Sequence, residues 1–492
     1  MTRSVIVVGG GISGLTAAWR LRGDAEVTVL ECAPRIGGKL RTGTLAGVPV
    51  DEGAESLMAL RPEAVRLAQD VGLGDDLCDP APAPTTLWSG GALRALPAGH
   101  VMGIPADPAA LEGTGLLSDE GVARLRHEET LPAEARTEDV SVAEYLGGRL
   151  GQEAVDRLVE PLLGGVYAGR PDRLSLRAAL PRVAAVAERG EPLLQALRRM
   201  RTSGAPGAGG SPDGASGKGA APYAEPRESA APRAGAVKTV AVQGLRGGTG
   251  RLPLAVAEAS GARILTATRV RELQRTSAGR WRVLAVTGDG PLLLEADAVV
   301  LAVPAYEAAE LLRPHAPLAD ADLGAIQHAS TAVVTLAFPR TQALSRARAL
   351  PEGNGFLVPA VDGRSLKAAT FLSNKWRWQS EAAPDLFLLR TSIGRVAEEH
   401  RLAVPDRHLV HTSVTELHQA AGPIGEPVAA RVTRWERGLP QYGVGHTDRV
   451  ARVHEAVGKL PGLELCGAAY EGVGVAACVA TGEAAARRLT EG

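Results

Sequence analysis

The chain has 492 residues, with 54 basic against 55 acidic side chains and a net charge of -1, so no general cationic field exists to draw in nucleic acid. Aromatic residues are only 3%, too few for a base-stacking platform, while 45% hydrophobic and 22% charged residues are ordinary for a folded protein. That length exceeds one hydrophobic core and suggests about three domains. Cys32, Cys78, Cys466 and Cys478 form no C-x-x-C pair and no metal-ligand spacing, and read as small buried residues in a reducing compartment. No apolar run is long enough for a membrane span, and the chain enters a strand at Ser4–Val8 with no room for a signal peptide. A cytoplasmic protein is expected, with peripheral membrane contact left open.

In chain order, the strand Val5-Ile6-Val7-Val8 runs into Gly9-Gly10-Gly11-Ile12-Ser13-Gly14 and then a helix. The pattern Gly9-x-Gly11-x-x-Gly14 permits a tight turn, a close approach to a pyrophosphate, and helix-on-strand packing. The helix N-terminus then aims unpaired N–H groups at the anion. The next strand, Val27–Leu30, ends at Glu31, about 20 residues on, where a ribose hydroxyl needs an acceptor. A second glycine turn follows at once in Arg35-Ile36-Gly37-Gly38-Lys39. A nicotinamide site has no use for it, whereas an extended FAD does, with Arg35 or Lys39 as countercharge.

Ser141 to Met200 has apolar residues at helical spacing. The stretch 203–236 is rich in Gly, Ala, Pro and Ser and reads as a disordered low-complexity insert. Strands are expected in KTVAV, ARILTATRVREL, WRVLAV, ADAVVLAVP, TAVVTLAF and LFLLRTSI, then a helix from about Asp406 to Ala420. The chain ends strand, glycine turn (Glu471-Gly472-Val473-Gly474-Val475), helix Ala476–Leu489. A helix start there puts its positive end near a flavin pyrimidine ring, although a terminal helix packed for stability accounts for it equally.

These motifs together resemble the flavin amine oxidase superfamily. Further runs are similar, more narrowly, to the oxygen-dependent porphyrinogen oxidases of haem synthesis: Glu52–Ser56, Val101–Pro105, Glu160–Gly169, and Trp435 with Leu439–His446. The likeness covers nearly the whole chain outside 203–236, and departs where Gly474–Cys478 lacks the family's Pro-Asp.

The resemblance implies an α/β fold with a Rossmann-like FAD-binding domain (1–75, 238–305 and 428–492), a mixed-sheet substrate-binding domain (76–97 and 306–427) and a helical subdomain (98–202). It implies non-covalent FAD held by Gly9 to Gly14, Glu31, Gly38, Lys39, the turn Gly53-Ala54-Glu55-Ser56, Val270, Trp435 and Val473-Gly474-Val475. For a substrate bearing propionates it implies Arg61, beside the reading of a surface arginine, and an apolar slot of Leu163, Gly165, Val166 and Tyr167, beside a core-packing reading. The activity implied is oxidation of coproporphyrinogen III, or of protoporphyrinogen IX, by dioxygen with release of peroxide, with the next enzyme of haem synthesis as a partner to consider. No metal and no dedicated general base are expected, and His446 reads equally as a structural hydrogen-bonder. An amine oxidase is a rival on the same scaffold, but Arg431–His446 has no cysteine to tether a flavin and Val473–Val475 no aromatic at its edge. A carotenoid desaturase fits the P-Q-Y-x-x-G-H run poorly, and a flavoprotein without turnover is the alternative from another class.

Overall fold

The computed structural model describes residues 3–202, 241–341, 351–422 and 424–491. The expected insert 203–236 and most of the KTVAV strand lie outside them; the strand seen there is Val242–Leu245. A five-stranded parallel sheet runs in the order Arg263–Leu265, Ala25–Leu30, Arg3–Val8, Ala298–Leu301, Leu463–Leu465. Its central strands are continuous apolar runs because both faces are covered, as parallel sheets require. The expected single strand over 262–273 is two, Arg263–Leu265 and Arg269–Arg275, and the second opens an antiparallel three-stranded layer with Trp281–Thr287 and Gly290–Ala296.

Helix Ile12–Leu21 follows the first strand, and the terminal helix Val475–Glu491 packs along it. Gly482 makes that approach close: a Cβ there would meet the Ser13 carbonyl oxygen at 2.3 Å. The chain's two ends therefore share one wall.

A seven-stranded sheet runs Ala429–Pro440, His328–Pro339, Leu386–Ile393, Leu366–Thr370, Gly355–Leu357, Thr86–Ser89, Ala92–Ala95. Ala429–Pro440, which the sequence reading puts in the cofactor-binding unit, pairs along the edge of this sheet with His328–Pro339. Strand alternation puts Val334, Leu336, Phe387, Leu389 and Phe356 on one face, under helix Asp406–Ala421 through Leu409, Val414 and Leu417. The opposite face carries a row across four paired strands, Leu357, Ala368, Ser392 and Val333, all half-buried.

The helices expected from Ser141 are present, preceded in the same core by an unexpected one, Asp119–Arg126, and the Ser141 hydroxyl caps helix Val142–Leu150 by accepting the Glu144 N–H at 3.1 Å. A π-helical stretch, Val155–Val159, leads into helix Glu160–Tyr167. The Val101–Pro105 run is a hairpin whose central residues, Met102 and Gly103, both have positive φ (50° and 81°). A Cβ on Gly103 would sit 2.0 Å from the Leu158 carbonyl oxygen, so the hairpin tip presses on the π-helical turn. No helix among the described residues is long and apolar enough to cross a membrane.

Gly482→Ala should destabilise the protein by about 1–3 kcal/mol in urea unfolding, the usual range for overpacking. Gly23→Ala, where an added methyl meets nothing within 4 Å, should change stability by less than about 0.5 kcal/mol. Equal effects would remove the close-approach argument.

Candidate functional site

The first glycine turn divides its labour by position. A Cβ on Gly9 (φ 109°) would lie 2.5 Å from the Ala302 oxygen, and one on Gly14 2.1 Å from the Gly9 oxygen, whereas Gly11 faces open space. Gly11 is also the N-cap of Ile12–Leu21, and no side chain caps the first-turn N–H groups. An anion can therefore reach those donors from Ile12, Ser13 and Gly14.

Glu31 is nearly buried: its Oε2 accepts the Gly10 N–H and its Oε1 the Ala33 N–H, each at 2.8 Å. That fixes a carboxylate beside the turn, able to accept ribose hydroxyls. The strand carrying Val270 begins next to it, because the Thr268 N–H donates to the Glu31 carbonyl at 2.8 Å.

The second glycine turn lies on the first, with the Gly37 N–H donating to the Gly10 carbonyl at 2.8 Å and Gly38 close to Gly11. Arg35 spends its guanidinium on its own loop, donating to the Ile36 and Gly38 carbonyls at 3.0 and 2.9 Å. Lys39 behaves differently. Its surface is exposed, yet the surrounding protein pushes its ammonium pKa down, with only the Cys478 thiol opposing. A side chain both exposed and desolvated lies on the wall of an internal cavity. Together the open Gly11, the uncapped helix start, the fixed Glu31 and this cation suit a dinucleotide of FAD's length and charge.

The turn Asp51–Ser56 closes the cavity further along. Gly53 has no room for a side chain, since a Cβ would be 2.0 Å from the Lys39 oxygen and 3.2 Å from the Trp435 ring. Trp435 Nε1 donates to the Glu52 carbonyl at 2.8 Å, Arg390 to Gly53 O at 2.8 Å, and Thr249 Oγ1 to Ala54 O at 2.6 Å. Glu52 is wholly buried between Arg41 (2.6 Å) and Arg431. Burial would raise the pKa of Glu55, but Arg390 and Lys375 (2.6 Å) hold it below the ordinary value. Among the described residues no cation pairs with the Asp51 carboxylate, and Arg390 reaches only its backbone carbonyl, at 3.4 Å. Its carboxylate accepts from Thr42 Oγ1 (2.6 Å) and from the N–H and hydroxyl of Thr249 (2.9 and 3.1 Å), and burial pushes its pKa up to about 6.

At the C-terminal side, the Tyr442 hydroxyl donates to Ala468 O at 2.6 Å and accepts the Gly472 N–H at 2.8 Å, bracing the loop before Val473-Gly474-Val475. Gln441 Nε2 donates to Tyr167 O at 2.7 Å. His446 stacks on Tyr442 at 3.9 Å, and burial lowers its pKa to about 4, so it is a neutral packing partner at pH 7.

The slot residues divide. Leu163 and Tyr167 do not line a surface: both are wholly buried in the helical core, because their i, i+4 spacing puts them on the face turned to that core. Gly165 is exposed and Val166 half-buried; a Cβ on Gly165 would lie 3.6 Å from Leu357. Val166, Leu357 and Val473 all rest against the rim of the helical core, so slot helix, sheet row and terminal turn converge. Arg61 pairs with Glu63 at 3.0 Å, and its charge is felt at the Cys478 thiol in the terminal helix. Of the cysteines, Cys466 and Cys478 are buried, but Cys32 is exposed and Cys78 half-buried, both in loop or edge positions the core does not cover. Among the described residues no cluster of His, Cys, Asp or Glu is arranged to hold a metal ion.

Residues 12–490 match the family described as flavin containing amine oxidoreductase. The coproporphyrinogen III oxidase of Mycobacterium tuberculosis is 36% identical over 99% of this chain and 97% of its own length. That of Bacillus subtilis is 29% identical over 98% and 97%. A crystal structure from Exiguobacterium sp. 255-15, assigned as a protoporphyrinogen oxidase, superposes with a TM-score of 0.82 at 30% identity, covering 99% of both chains.

Asp51 sets a pH dependence with a definite sign. Its folded pKa, about 6, lies above the ordinary 3.8, so its stabilising contribution is complete below pH 3.8 and is lost as pH rises through 6. Wild-type unfolding free energy should therefore fall by up to about 3 kcal/mol from this group between pH 4 and 6. In Asp51→Asn that part of the decline should vanish; an unaltered pH profile would show that the carboxylate stays ionised.

Proposed function

The chain belongs to the flavin containing amine oxidoreductase family and is an FAD-dependent oxidoreductase, and from that premise we propose that it oxidises coproporphyrinogen III to coproporphyrin III in haem synthesis, with dioxygen as acceptor. The observation that carries the reading is the full-length likeness to coproporphyrinogen III oxidases, and we assign the substrate to the sheet face that bears the half-buried row Leu357, Ala368, Ser392, Val333. These four side chains are small and none is aromatic, which suits the edge of a large macrocycle and not an aromatic cage for an amine. The row lies one pleat from Arg390, which holds Gly53 O, so a ring entering the slot meets the Gly53–Ser56 turn.

FAD, when bound, supplies the redox chemistry, taking two electrons and a proton at each of three oxidations and passing them to dioxygen as hydrogen peroxide. We assign its diphosphate to the N–H groups after Gly11 and to Lys39, its ribose to Glu31, its adenine side to Val270, and its ring system to Gly53–Ser56, Trp435 and Val473–Val475. The chain's own work is then to orient a meso carbon and to exclude water. Aromatisation favours proton loss, so His446, neutral and stacked, is not required as a base. The division into 1–75, 238–305 and 428–492, 76–97 and 306–427, and 98–202 remains our reading of the domains, with the strand Ala429–Pro440 as the joint between the first two.

Under nitrogen, coproporphyrinogen III should bleach the flavin absorbance of the purified protein, and air should restore it with three peroxides formed per porphyrin. Faster bleaching by protoporphyrinogen IX would favour the second reading, to which the Exiguobacterium structure gives weight. No bleaching by either would leave a flavoprotein without this activity.

We also assign Arg61 to a substrate propionate, since a guanidinium meets a carboxylate with paired hydrogen bonds. Arg61→Ala should raise KM about tenfold, a loss of about 1.5 kcal/mol, with kcat and FAD content unchanged. An unchanged KM with a lower melting temperature would reduce Arg61 to its pair with Glu63.

A further inference from the structure

The loop after the fourth strand of the parallel sheet lies against the first glycine turn, where a Cβ on Gly9 would be 2.5 Å from Ala302 O and 3.3 Å from Val303 Cγ1. This loop delivers Tyr306, half-buried, in the first turn of helix Ala305–Leu312. The other sheet reaches over to the same side chain. Arg437, in Ala429–Pro440, sets its guanidinium carbon 3.5 Å above the centre of the Tyr306 ring. His328, the first residue of the neighbouring strand, meets the edge of that ring at 5.0 Å between centroids and 81° between planes.

The ring spans a defined interval. On one side its phenol lies within electrostatic reach of Glu307, Cys32 and Arg269, and Cys32 directly follows Glu31 in the chain. On the other, burial and then the charges of Lys39 and Arg437 press the His328 pKa down to about 4, against a hydrogen bond to Ile326. Tyr306 and His328 thus bridge from the ribose carboxylate to the cavity lysine, the interval in which a diphosphate links adenosine to a flavin. Arg437 reaches its post at φ 47°, a left-handed conformation unusual for a side chain of this size, and its N–H donates to Ser330 Oγ at 2.9 Å. The backbone is held so that the guanidinium lies on the ring.

We propose that Tyr306 and Arg437 form a cover over the diphosphate stretch of the FAD site, joining the two sheets across it and slowing cofactor release. The cation–π stack is the closure, and its positive charge adds to that of Lys39 where the cofactor is negative.

The test follows FAD leaving the purified holoenzyme after large dilution, read as the rise in free flavin fluorescence. Arg437→Ala and Tyr306→Ala should each speed release about fivefold, the effect of losing one cation–π contact between an exposed guanidinium and a half-buried ring. The double variant should release no faster than either single one, because the two side chains act as one closure. Tyr306→Phe keeps the ring and should match the wild type. Arg437→Gly frees the backbone of its left-handed constraint, so it should melt no lower than Arg437→Ala yet release FAD as fast. Release within twofold of wild type in both alanine variants would overturn the proposal, as would fast release from Tyr306→Phe.

Discussion

Ionised carboxylates taken out of water need partners, and in this fold the partners come from afar. Glu52 and Glu55 follow one another in a single turn, wholly or almost wholly buried, and their cations are Arg41, Arg431, Lys375 and Arg390. Arg431 and Arg390 belong to the seven-stranded sheet and Lys375 to the short helix Leu372–Lys375, while the turn itself sits against the second glycine loop. Such pairs contribute little net stability compared with an apolar core, but leaving one charge unpaired is expensive. They therefore act as a register: the two sheets must meet at one relative position for all the charges to be matched. Everything that depends on that meeting, from the Trp435 bond to Glu52 O to the row of small residues beyond Arg390, inherits its geometry from these pairs.

The cavity between the sheets is electrically one-sided. Its glycine-turn end offers the uncapped start of Ile12–Leu21, the desolvated Lys39 and, at the rim, Arg437. Of the carboxylates there, Glu31 is tied down by backbone N–H groups on its inner side and Glu307 pairs with Arg269. Its other end holds charges in matched pairs, Glu52 and Glu55 with their cations and Arg61 with Glu63. This is the polarity a bound FAD presents, anionic in the middle and apolar at its ring.

What could be read from the sequence was local. The roles of Gly9, Gly11 and Gly14 and the position of Glu31 follow from a strand, a turn and a helix within a few tens of residues, and the family resemblance added the Gly53–Ser56 turn. Leu163 and Tyr167 were legible only as apolar residues: the pattern that marks a helical face does not say whether that face meets a slot or a core. Arg35 could not be told from Lys39 as a countercharge, because its engagement with the Ile36 and Gly38 carbonyls is a matter of side-chain direction. The matching of Glu52 with Arg431, 379 residues away, left no trace in spacing at all. Nor did the edge strand Ala429–Pro440, whose alternate face carries Arg431, Thr433 and Trp435 in place of aliphatic residues.

The packing of Gly482 against Ser13 has a bearing on how the protein is made. Arg20 and Glu483 meet across 463 residues of sequence, along the same helix pair. The wall behind the first glycine turn is thus made long after the turn itself. Until then the strand Val5–Val8, apolar on both faces, has one side uncovered, and non-local pairings of this kind are slow and exposed to aggregation. The first glycine turn is written in a few residues, yet the helix that backs it lies 463 residues further along, so the motif does not become a folded site until both stretches have been made.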